Sequence, residues 1–331
     1  MGHTFGPSNF EHTNTIFQHS AKFHRMRRTK QPANASSSRG VFITATDTGV
    51  GKTVVTAALA IALRKQGQEV GVMKPIETGL KSPAGSGSDA ARLRTAAGSR
   101  DLLTEIRPYA FRRPLAPLDA ARLENRRVTM PRIMRTFRKL QLQHEILLVE
   151  GIGGLLTPIM RKHDVPDLIY RMKLPTIVVG RVSLGGINHA MLTIGALHRR
   201  NIPVLALVLN RSLPRRTATV QGQEQSTIRL LRHLAVVPVI GPLPYRAALE
   251  RNFQSEAAKL AGTATITKLM RLVLARMIRE GSSRKRADAK RDGHSEARGL
   301  APPSVAVPVP LRRQGQAPKR RAPVPNSMSK G

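Results

Sequence analysis

The clearest chemical signal in the sequence is VFITATDTGVGKT at positions 41–53, which ends in Gly-Lys-Thr. A short apolar run leads into a glycine-containing turn, and the residues that follow have the apolar spacing of a helix. Backbone N–H groups of such a turn and of a helix N-terminus bind anionic oxygens. Lys52 would contact the outer phosphates of a nucleoside triphosphate, and the Thr53 hydroxyl would bind Mg²⁺. The usual first glycine of this motif is replaced by Thr46, so the strand and helix context carries the prediction.

A second lysine, Lys74, follows another short apolar run and precedes Pro75. In an open α/β sheet, ligands bind at the carboxyl ends of the strands. Lys74 is therefore predicted to enter the same crevice as Lys52, where it would contact the γ-phosphate. The alternative is an ordinary surface lysine.

Two carboxylates complete the predicted site. Glu150 ends the apolar run ILLVE and is followed by GIGG. A buried strand rarely ends in an acid unless a cation or hydrogen bonds receive it, and glycines allow the backbone to approach a ligand closely. Asp89, in GSDAA, could supply a second carboxylate, although an ordinary helix N-cap is the alternative. Mg²⁺ prefers such oxygen ligands, so the predicted metal ligands are Thr53, Asp89 and Glu150.

These residues need a parallel sheet to bring them together. Short apolar runs rich in β-branched residues alternate with longer helical patterns, as expected for strands covered on both faces. The predicted strands are Val41–Ala45, Val70–Met73, Ile146–Val149, Thr176–Val179 and Val204–Leu209. The predicted helices are Val54–Gln66, Pro131–Gln143, Ile187–Arg199 and Gln223–Leu234. The predicted fold class is α/β: a three-layer phosphate-loop domain with a mostly parallel sheet and helices on both faces.

Composition limits the function classes. The chain has 331 residues, 40% of them hydrophobic, and no cysteine, which excludes disulfides, thiolate metal sites and cysteine nucleophiles. No run approaches the roughly 20 apolar residues of a membrane-spanning helix, and a cytoplasmic location is predicted. The formal charge of +35 taken alone suggests a polyanionic partner. Because this excess is spread along the chain and aromatic residues make up 3%, a nucleic-acid partner is not favoured.

Both ends differ in composition from the middle. Residues 1–39 contain six Lys or Arg against one acid and lack hydrophobic periodicity, so a disordered basic extension is predicted. A transit peptide and an upstream start codon, with Met26 as the initiator, are the alternatives. Residues 281–331 are basic and rich in Pro, which predicts a disordered tail. A single phosphate-loop domain is therefore expected over 40–280.

At this point the motifs resemble a known family. ATDTGVGKT, KPIETG, SDA, VEGIGG, VVGRVSLGGINHAMLT and LNRS occur in the order and rough spacing of the dethiobiotin synthetases, which belong to the phosphate-loop NTPases, over about residues 40–246. The resemblance implies ATP- and Mg²⁺-dependent ring closure of 7,8-diaminononanoate with CO₂ to dethiobiotin, in biotin biosynthesis. One amine captures CO₂ as a carbamate, which attacks the γ-phosphate to give a carbamic–phosphoric anhydride. The second amine then displaces phosphate.

The resemblance also implies roles for individual residues. Lys52 and Lys74 would be catalytic and stabilise phosphate and carbamate charge, and Thr78 would contact the diamine or carbamate. Residues of the partner subunit in a homodimer would hold the substrate carboxylate at a helix N-terminus, a favourable place for an anion. Those partner residues are Gly185, Gly186, Ile187 and Asn188. The implied nucleotide-binding residues are Gly49, Val50, Gly51, Lys52, Thr53, Val54, Asp89, Glu150, Gly151, Ile152, Gly153, Asn210, Arg211, Pro244, Tyr245 and Arg246.

Two departures and two alternatives remain. Ala45 stands where the family often has Gly, and Arg211 where an acid is common, so the nucleotide preference is left open. The alternative function is a partition-type ATPase that binds DNA or membrane through its basic surface. That class usually carries an additional lysine near the start of the loop, where this chain has Thr44-Ala45-Thr46, and a strand-end Asp in place of Glu150. A glutamine-dependent amide synthase would need a nucleophilic cysteine.

Overall fold

The computed structural model describes residues 39–82, 87–214 and 217–279. Apart from Arg39, both predicted tails lie outside the described residues. The strands are β1 (Gly40–Ala45), β2 (Val70–Met73), β3 (Ile76–Glu77), β4 (Tyr109–Ala110), β5 (Ile146–Glu150), β6 (Pro158–Met160), β7 (His163–Asp164), β8 (Thr176–Arg181), β9 (Val204–Asn210) and β10 (Val239–Leu243). The helices are α1 (Lys52–Lys65), α2 (Asp89–Ala97), α3 (Leu103–Ile106), α4 (Pro117–Leu123), α5 (Met130–Gln143), α6 (Val165–Met172), α7 (Gly186–Arg199), α8 (Ala218–Leu234), α9 (Phe253–Ala261) and α10, whose described part covers 264–279.

Six parallel strands form the central sheet in the order β10-β9-β8-β1-β5-β2. All five predicted strands belong to it, so the predicted α/β fold with a parallel sheet is confirmed. The sixth strand, β10, was not predicted, because its sequence VIGPL contains Gly241 and Pro242 and reads as a turn. It joins the edge of the sheet beside β9.

Successive side chains of each strand enter different layers, as the pleat of a strand requires. In β1, Val41 and Ile43 pack with α1, α2, α9 and α10 in one cluster of buried residues. Phe42, which lies between them, packs with α4, α5, α6, α7 and α8 in the other cluster. All three side chains are fully buried. The molecule therefore has the predicted three layers, with helices on both faces of the sheet.

Helix α1 presents the phosphate loop, and its sequence explains where it begins and ends. Val55, Leu59 and Leu63 are fully buried and recur every four residues, which places them on one face of the helix. The helix begins after Gly51, whose φ is +100°, a conformation that favours glycine. It ends next to Gly67, whose φ is +78°. The helix begins at Lys52, before the predicted Val54. Its first residues, Lys52 and Thr53, are polar and therefore do not show in a pattern of apolar residues.

The small β3–β4 sheet covers the chain that follows Lys74. Lys74 N donates to Ile106 O at 2.8 Å, and Phe111 N donates to Glu77 O at 2.9 Å. Ile76 pairs with Tyr109 in the parallel register of the two strands. Although β2 lies at the edge of the central sheet, Lys74 is therefore buried.

Candidate active site

The candidate site lies where the carboxyl ends of the central strands meet. β1 leads into the phosphate loop, β2 into Lys74, and β5 ends at Glu150. Ile43 pairs with Glu150 and Ala45 with Val179, so β1, β5 and β8 end side by side. As the strand-end rule predicts, the two lysines and the acid that lie far apart in the sequence come together.

The side chain of Lys74 lies at the centre of the site. Its Nζ donates to Glu150 Oε1 at 2.6 Å, to Asp89 Oδ2 at 3.0 Å and to Gly151 O at 3.2 Å. Burial alone would lower the pKa of Lys74, but the carboxylates of Glu150 and Asp89 raise it above its ordinary value. The Lys74 ammonium group is therefore buried between two carboxylates, and the alternative of a surface lysine is wrong.

The residues predicted to hold Mg²⁺ also lie together. Thr53 Oγ1 donates to Glu150 Oε1 at 2.9 Å, and Asp89 contacts the same Lys74 ammonium as Glu150. Burial alone would raise the pKa of Asp89, but the Lys74 ammonium holds it below its usual range. The Asp89 carboxyl group is therefore held in its anionic form next to Glu150.

Their chemistry fits Mg²⁺ bound together with a nucleotide. Glu150 is fully buried, and its Oε2 has no hydrogen-bond partner among the residues that the structure describes, so one carboxylate oxygen remains available to a cation. One hydroxyl and two carboxylates are hard oxygen ligands of the kind Mg²⁺ takes alongside phosphate oxygens. Within 39–82, 87–214 and 217–279, no group of three or more His, Cys, Asp or Glu could hold a metal by itself. The hydroxyl of Thr53 and the carboxylates of Asp89 and Glu150 suit a cation whose remaining ligands are phosphate oxygens.

Lys52 lies inside the phosphate loop. Its Nζ donates to Gly153 O at 2.8 Å and lies 3.4 Å from Asp47 O. Burial and, after it, the nearby Lys74 ammonium lower the pKa of Lys52 to about 8, against the opposing effect of the surrounding carboxylates. The loop and the glycine run after Glu150 thus hold this ammonium group between two backbone carbonyls.

The glycine run after Glu150 supplies backbone to both lysines. Gly151 N donates to Ile43 O at 2.9 Å, which continues the pairing of β1 and β5 beyond the strand. Gly153 has a φ of +60°, and Ile152 packs against the cluster that contains Phe42. This segment places the carbonyls of Gly151 and Gly153 toward Lys74 and Lys52 respectively.

Asn210 supports the phosphate loop directly. Its side-chain Nδ2 donates to Val50 O at 2.9 Å, and the contact is buried. A Cβ on Gly51 would overlap this amide nitrogen, whereas a Cβ on Gly49 would meet nothing nearby. Val54, in the first turn of α1, is half-buried against the first cluster. Asn210 therefore has a structural contact beside its predicted role at the nucleotide base.

The predicted rim for the nucleotide base consists of two adjacent strand ends. Arg211 N donates to Leu243 O at 3.1 Å, which brings Arg211 next to the chain that contains Pro244, Tyr245 and Arg246. The Arg211 guanidinium forms a partly buried ion pair with Glu224 of α8, with Nη2 at 3.0 Å from Oε2. Arg246 Nε lies 2.5 Å from Glu256 Oε2, and Tyr245 is exposed. Both arginines are thus held on carboxylates, and their role toward a base stays a prediction.

The predicted substrate residues lie in two places. Thr78 is half-buried and directly follows the β3 residue Glu77, on the chain leaving Lys74. The range 185–188 begins α7, where Gly185 is the N-cap with a φ of +83°. Gly186 is buried and Ile187 half-buried, but Gly185 and Asn188 are exposed. The start of α7 therefore faces the outside of the subunit.

One buried ion pair next to the predicted metal ligands was not predicted from the sequence. Glu77 accepts a hydrogen bond from Arg107 Nη1 at 2.7 Å and another from Asp89 N at 2.5 Å. An acid inside the motif KPIETG was visible in the sequence, but nothing marked Arg107 as its partner. The first residue of α2 is thus linked to β3 and to the end of α3.

A second missed residue is Arg181, at the end of β8. Its Nη2 donates to His189 Nδ1 at 2.9 Å and lies 4.0 Å from Asp47 Oδ2. Asp47 in turn accepts from Thr48 N at 2.7 Å. Arg181 therefore lies between the phosphate loop and α7. A basic residue at a strand end, the signal used for Lys74, would have indicated it.

Known protein families and individual relatives show which sequences this chain resembles. A family model described as an AAA domain matches residues 39–252. ATP-dependent dethiobiotin synthetase of Anaeromyxobacter dehalogenans is 44% identical over 202 residues, covering 60% of this chain and 90% of the relative. The enzyme of Thermodesulfovibrio yellowstonii is 41% identical over 228 residues, covering 66% and 94%. That of Bacillus velezensis is 36% identical over 208 residues, covering 62% and 86%.

Among solved structures, a ParA family ATPase of Chlorobium tepidum has a TM-score of 0.44 at 12% identity, covering 73% of this chain and 99% of its own. That likeness is too low to bear on function. The sequence relatives, in contrast, are matched over most of their length at well above 30% identity. The chain belongs to the ATP-dependent dethiobiotin synthetase family.

Proposed function

We propose that this protein uses ATP to convert 7,8-diaminononanoate and CO₂ to dethiobiotin, a step of biotin biosynthesis. The observation that carries the proposal is the Lys74 ammonium, which is buried between Glu150 and Asp89 beside the phosphate loop. This arrangement suits an enzyme that moves a phosphoryl group onto an anionic acceptor. The dethiobiotin synthetases to which the chain is similar supply the identity of that acceptor.

Each step of the proposed reaction builds negative charge on oxygen atoms. The carbamate, the γ-phosphoryl group and the departing phosphate are all anionic, so fixed positive charges stabilise the transition states most. Lys52 would contact the outer phosphates of ATP, and Lys74 the carbamate and the phosphoryl group between them. Thr53, Asp89 and Glu150 would hold Mg²⁺, which when bound neutralises charge on the phosphate oxygens. Because the fold holds both lysines in place before the reaction, little reorganisation is needed.

We expect phosphate release from ATP to require both the diamine and bicarbonate, the source of CO₂. Adding DNA should neither replace the diamine nor raise the rate, and any DNA binding should weaken steeply with salt, since it would rest on phosphate contacts. Purified protein with each substrate omitted in turn, and dethiobiotin measured by mass spectrometry, tests this expectation. If DNA stimulated hydrolysis and the diamine did not, the partition-type ATPase would be the correct function.

A homodimer with shared active sites is part of the proposal. Asn188 is exposed at the start of α7, where helix N–H groups favour an anion such as the substrate carboxylate. Leu184 and Leu192 flank it and are 79% and 60% exposed. Exposed leucines just before and within the first turns of one helix suit contact with a second subunit, and the partner's Asn188 would then face this subunit's phosphate loop.

Mixed dimers test the shared site. We expect Asn188→Ala to weaken diamine binding and leave ATP binding nearly unchanged, and Lys52→Ala to be inactive. In a heterodimer of the two variants, one site has both lesions, whereas the other combines an intact phosphate loop with an intact Asn188. Activity should therefore partly return when subunits exchange, and the diamine-dependent rate of the mixture measures it. Two inactive variants that stay inactive after confirmed exchange would contradict the shared site.

The location of the protein remains a prediction. Over the described ranges, no helix combines the length and the apolar character that crossing a membrane requires. A cytoplasmic location is the natural one for an enzyme whose substrates are small metabolites and ATP. Fractionation of cells that express the full chain would test it, and we expect the protein in the cytosolic fraction.

A further inference from the structure

Glu77 holds the first turn of the helix that contains Asp89. Its Oε1 accepts from Asp89 N at 2.5 Å, and its Oε2 accepts from Ala90 N at 3.4 Å. Ser88, the N-cap residue, accepts from Ala91 N with its side chain. The first N–H groups of a helix have no partner within the helix. Here they are satisfied by a carboxylate that comes from another element, the strand β3.

The contact between Glu77 and the first turn of α2 is charged as well as hydrogen-bonded. A carboxylate at a helix N-terminus is stabilised by the positive end of the helix dipole, and charge-assisted hydrogen bonds are shorter and stronger than neutral ones. Glu77 is 5% exposed, so solvent screens this interaction little. The position of Asp89 N, and with it the origin of the Asp89 side chain, is therefore fixed relative to β3.

Arg107 balances the negative charge of Glu77. Its Nη1 lies 2.7 Å from Glu77 Oε2, and both side chains are almost completely buried. An unpaired buried carboxylate would be costly, and it would add a third acid to the two that face Lys74. With Arg107 in place, Glu77 can cap α2 while the Lys74 ammonium pairs with Asp89 and Glu150.

We propose that Glu77 and Arg107 are a positioning pair that sets the Asp89 carboxylate for binding the Mg²⁺–ATP complex. The pair contacts the backbone of Asp89 instead of the ligand, and it acts through that residue. The proposal rests on the proposed function in one respect, since it takes Asp89 as a ligand of the cation that accompanies ATP. Residues that hydrogen-bond to a metal ligand and hold it in place typically raise metal affinity by roughly 10- to 100-fold.

Glu77→Gln tests the pair with little change in shape. Three donors, namely Asp89 N, Ala90 N and Arg107 Nη1, converge on the two Glu77 oxygens. A glutamine offers one oxygen and one NH₂ group, so a donor would face a donor. The ratio of ATP affinity with Mg²⁺ to ATP affinity without Mg²⁺ should be on the order of 10-fold smaller in this variant than in wild type. Metal-free ATP binding should be nearly unchanged. Calorimetric titrations of ATP into the full chain, with Mg²⁺ and with chelator, measure both constants.

The same titrations in an Asp89→Asn background show whether Glu77 acts through Asp89. If it does, adding Glu77→Gln to Asp89→Asn should change the Mg²⁺ effect little further, because coupled residues are not additive. An equal loss in both backgrounds, or a wild-type Mg²⁺ effect in Glu77→Gln, would overturn the proposal. Because no diamine or bicarbonate is present, this result is independent of whether the protein makes dethiobiotin.

A matched control separates positioning from stability. Asp164 also caps a helix, α6, and pairs with an arginine, Arg200, at 2.9 Å. Asp164→Asn should lower the melting temperature but leave the Mg²⁺ effect on ATP binding at its wild-type value. Should Glu77→Gln fail to fold, Arg107→Lys keeps the charge and loses the forked geometry. It should reduce the Mg²⁺ effect by a smaller factor, and an unchanged effect would again overturn the proposal.

Discussion

Replacing Lys74 with glutamine is expected to lower kcat by on the order of 10²–10³-fold, because removing a preorganised group that stabilises transition-state charge has effects of that size. Lys74 is buried, and its ammonium contacts Glu150 and Asp89, so water has little room to take its place. Glutamine keeps much of the reach and some hydrogen bonding but has no charge. The affinity for MgATP should change little, because Lys52, Thr53 and the loop N–H groups remain.

Steady-state kinetics and ATP titrations separate these effects. Lys52→Gln should damage both kcat and ATP affinity, since Lys52 lies inside the loop that would bind the phosphates. Lys139→Gln is the matched control, because Lys139 pairs with an acid, Glu105, on the surface and surface pairs contribute little. Wild-type turnover in the Lys74→Gln enzyme would show that Lys74 does not face the reacting groups.

Gly51→Ala is expected to weaken ATP binding by on the order of 10²-fold, since αL strain of about 1–3 kcal/mol is joined by a steric conflict. Gly51 has a φ of +100°, which alanine adopts at a cost. The new methyl group would also overlap Asn210 Nδ2, which donates to Val50 O in the same loop. Relief of either conflict would shift the loop amides that would bind the phosphates.

Two variants separate strain from overlap in this experiment. Gly49→Ala has the strain alone, because Gly49 has a φ of +72° but open space at its Cβ, so its loss of affinity should be smaller. Adding Asn210→Ala to Gly51→Ala removes the overlapping group and should recover part of the affinity. Titrations with ATP and melting curves would check each variant. Equal losses for Gly49→Ala and Gly51→Ala would mean that the Asn210 contact is unimportant.

The lysine and acid cluster could be predicted from the sequence because it follows from local patterns and one general rule. Each of the segments that end at Ala45, Met73 and Glu150 shows a short apolar run, and ligands bind at the carboxyl ends of parallel strands. The contact of Lys74 with Glu150 follows from these two facts, whereas Asp89 begins a helix and the sequence left an ordinary N-cap as its alternative. The family resemblance then added the reaction, which the pattern alone leaves open.

The Glu77–Arg107 pair could not be predicted in the same way. Arg107 ends the short helix α3, whose four residues are too few for a reliable pattern. Its position against Glu77 depends on how β4 pairs with β3, a contact between two-residue strands that leave no periodic signal. The start of α7 differs from this pair. Its structure is that of a regular helix start, but its proposed role toward the substrate depends on contact with a second subunit.

The order of the central strands also bears on how the site forms during synthesis. β1, which leads into the phosphate loop, pairs with β5 and β8, yet β1 ends at Ala45 and its neighbours begin at Ile146 and Thr176. Contacts between distant segments form slowly, since a long loop must close first. During synthesis on the ribosome, β1 therefore emerges well before β5 and β8 have been made. Until then its residues have neither neighbouring strand to pair with. We therefore expect the phosphate loop to become able to bind a nucleotide late in synthesis, after the segments that contain β5 and β8 have emerged from the ribosome.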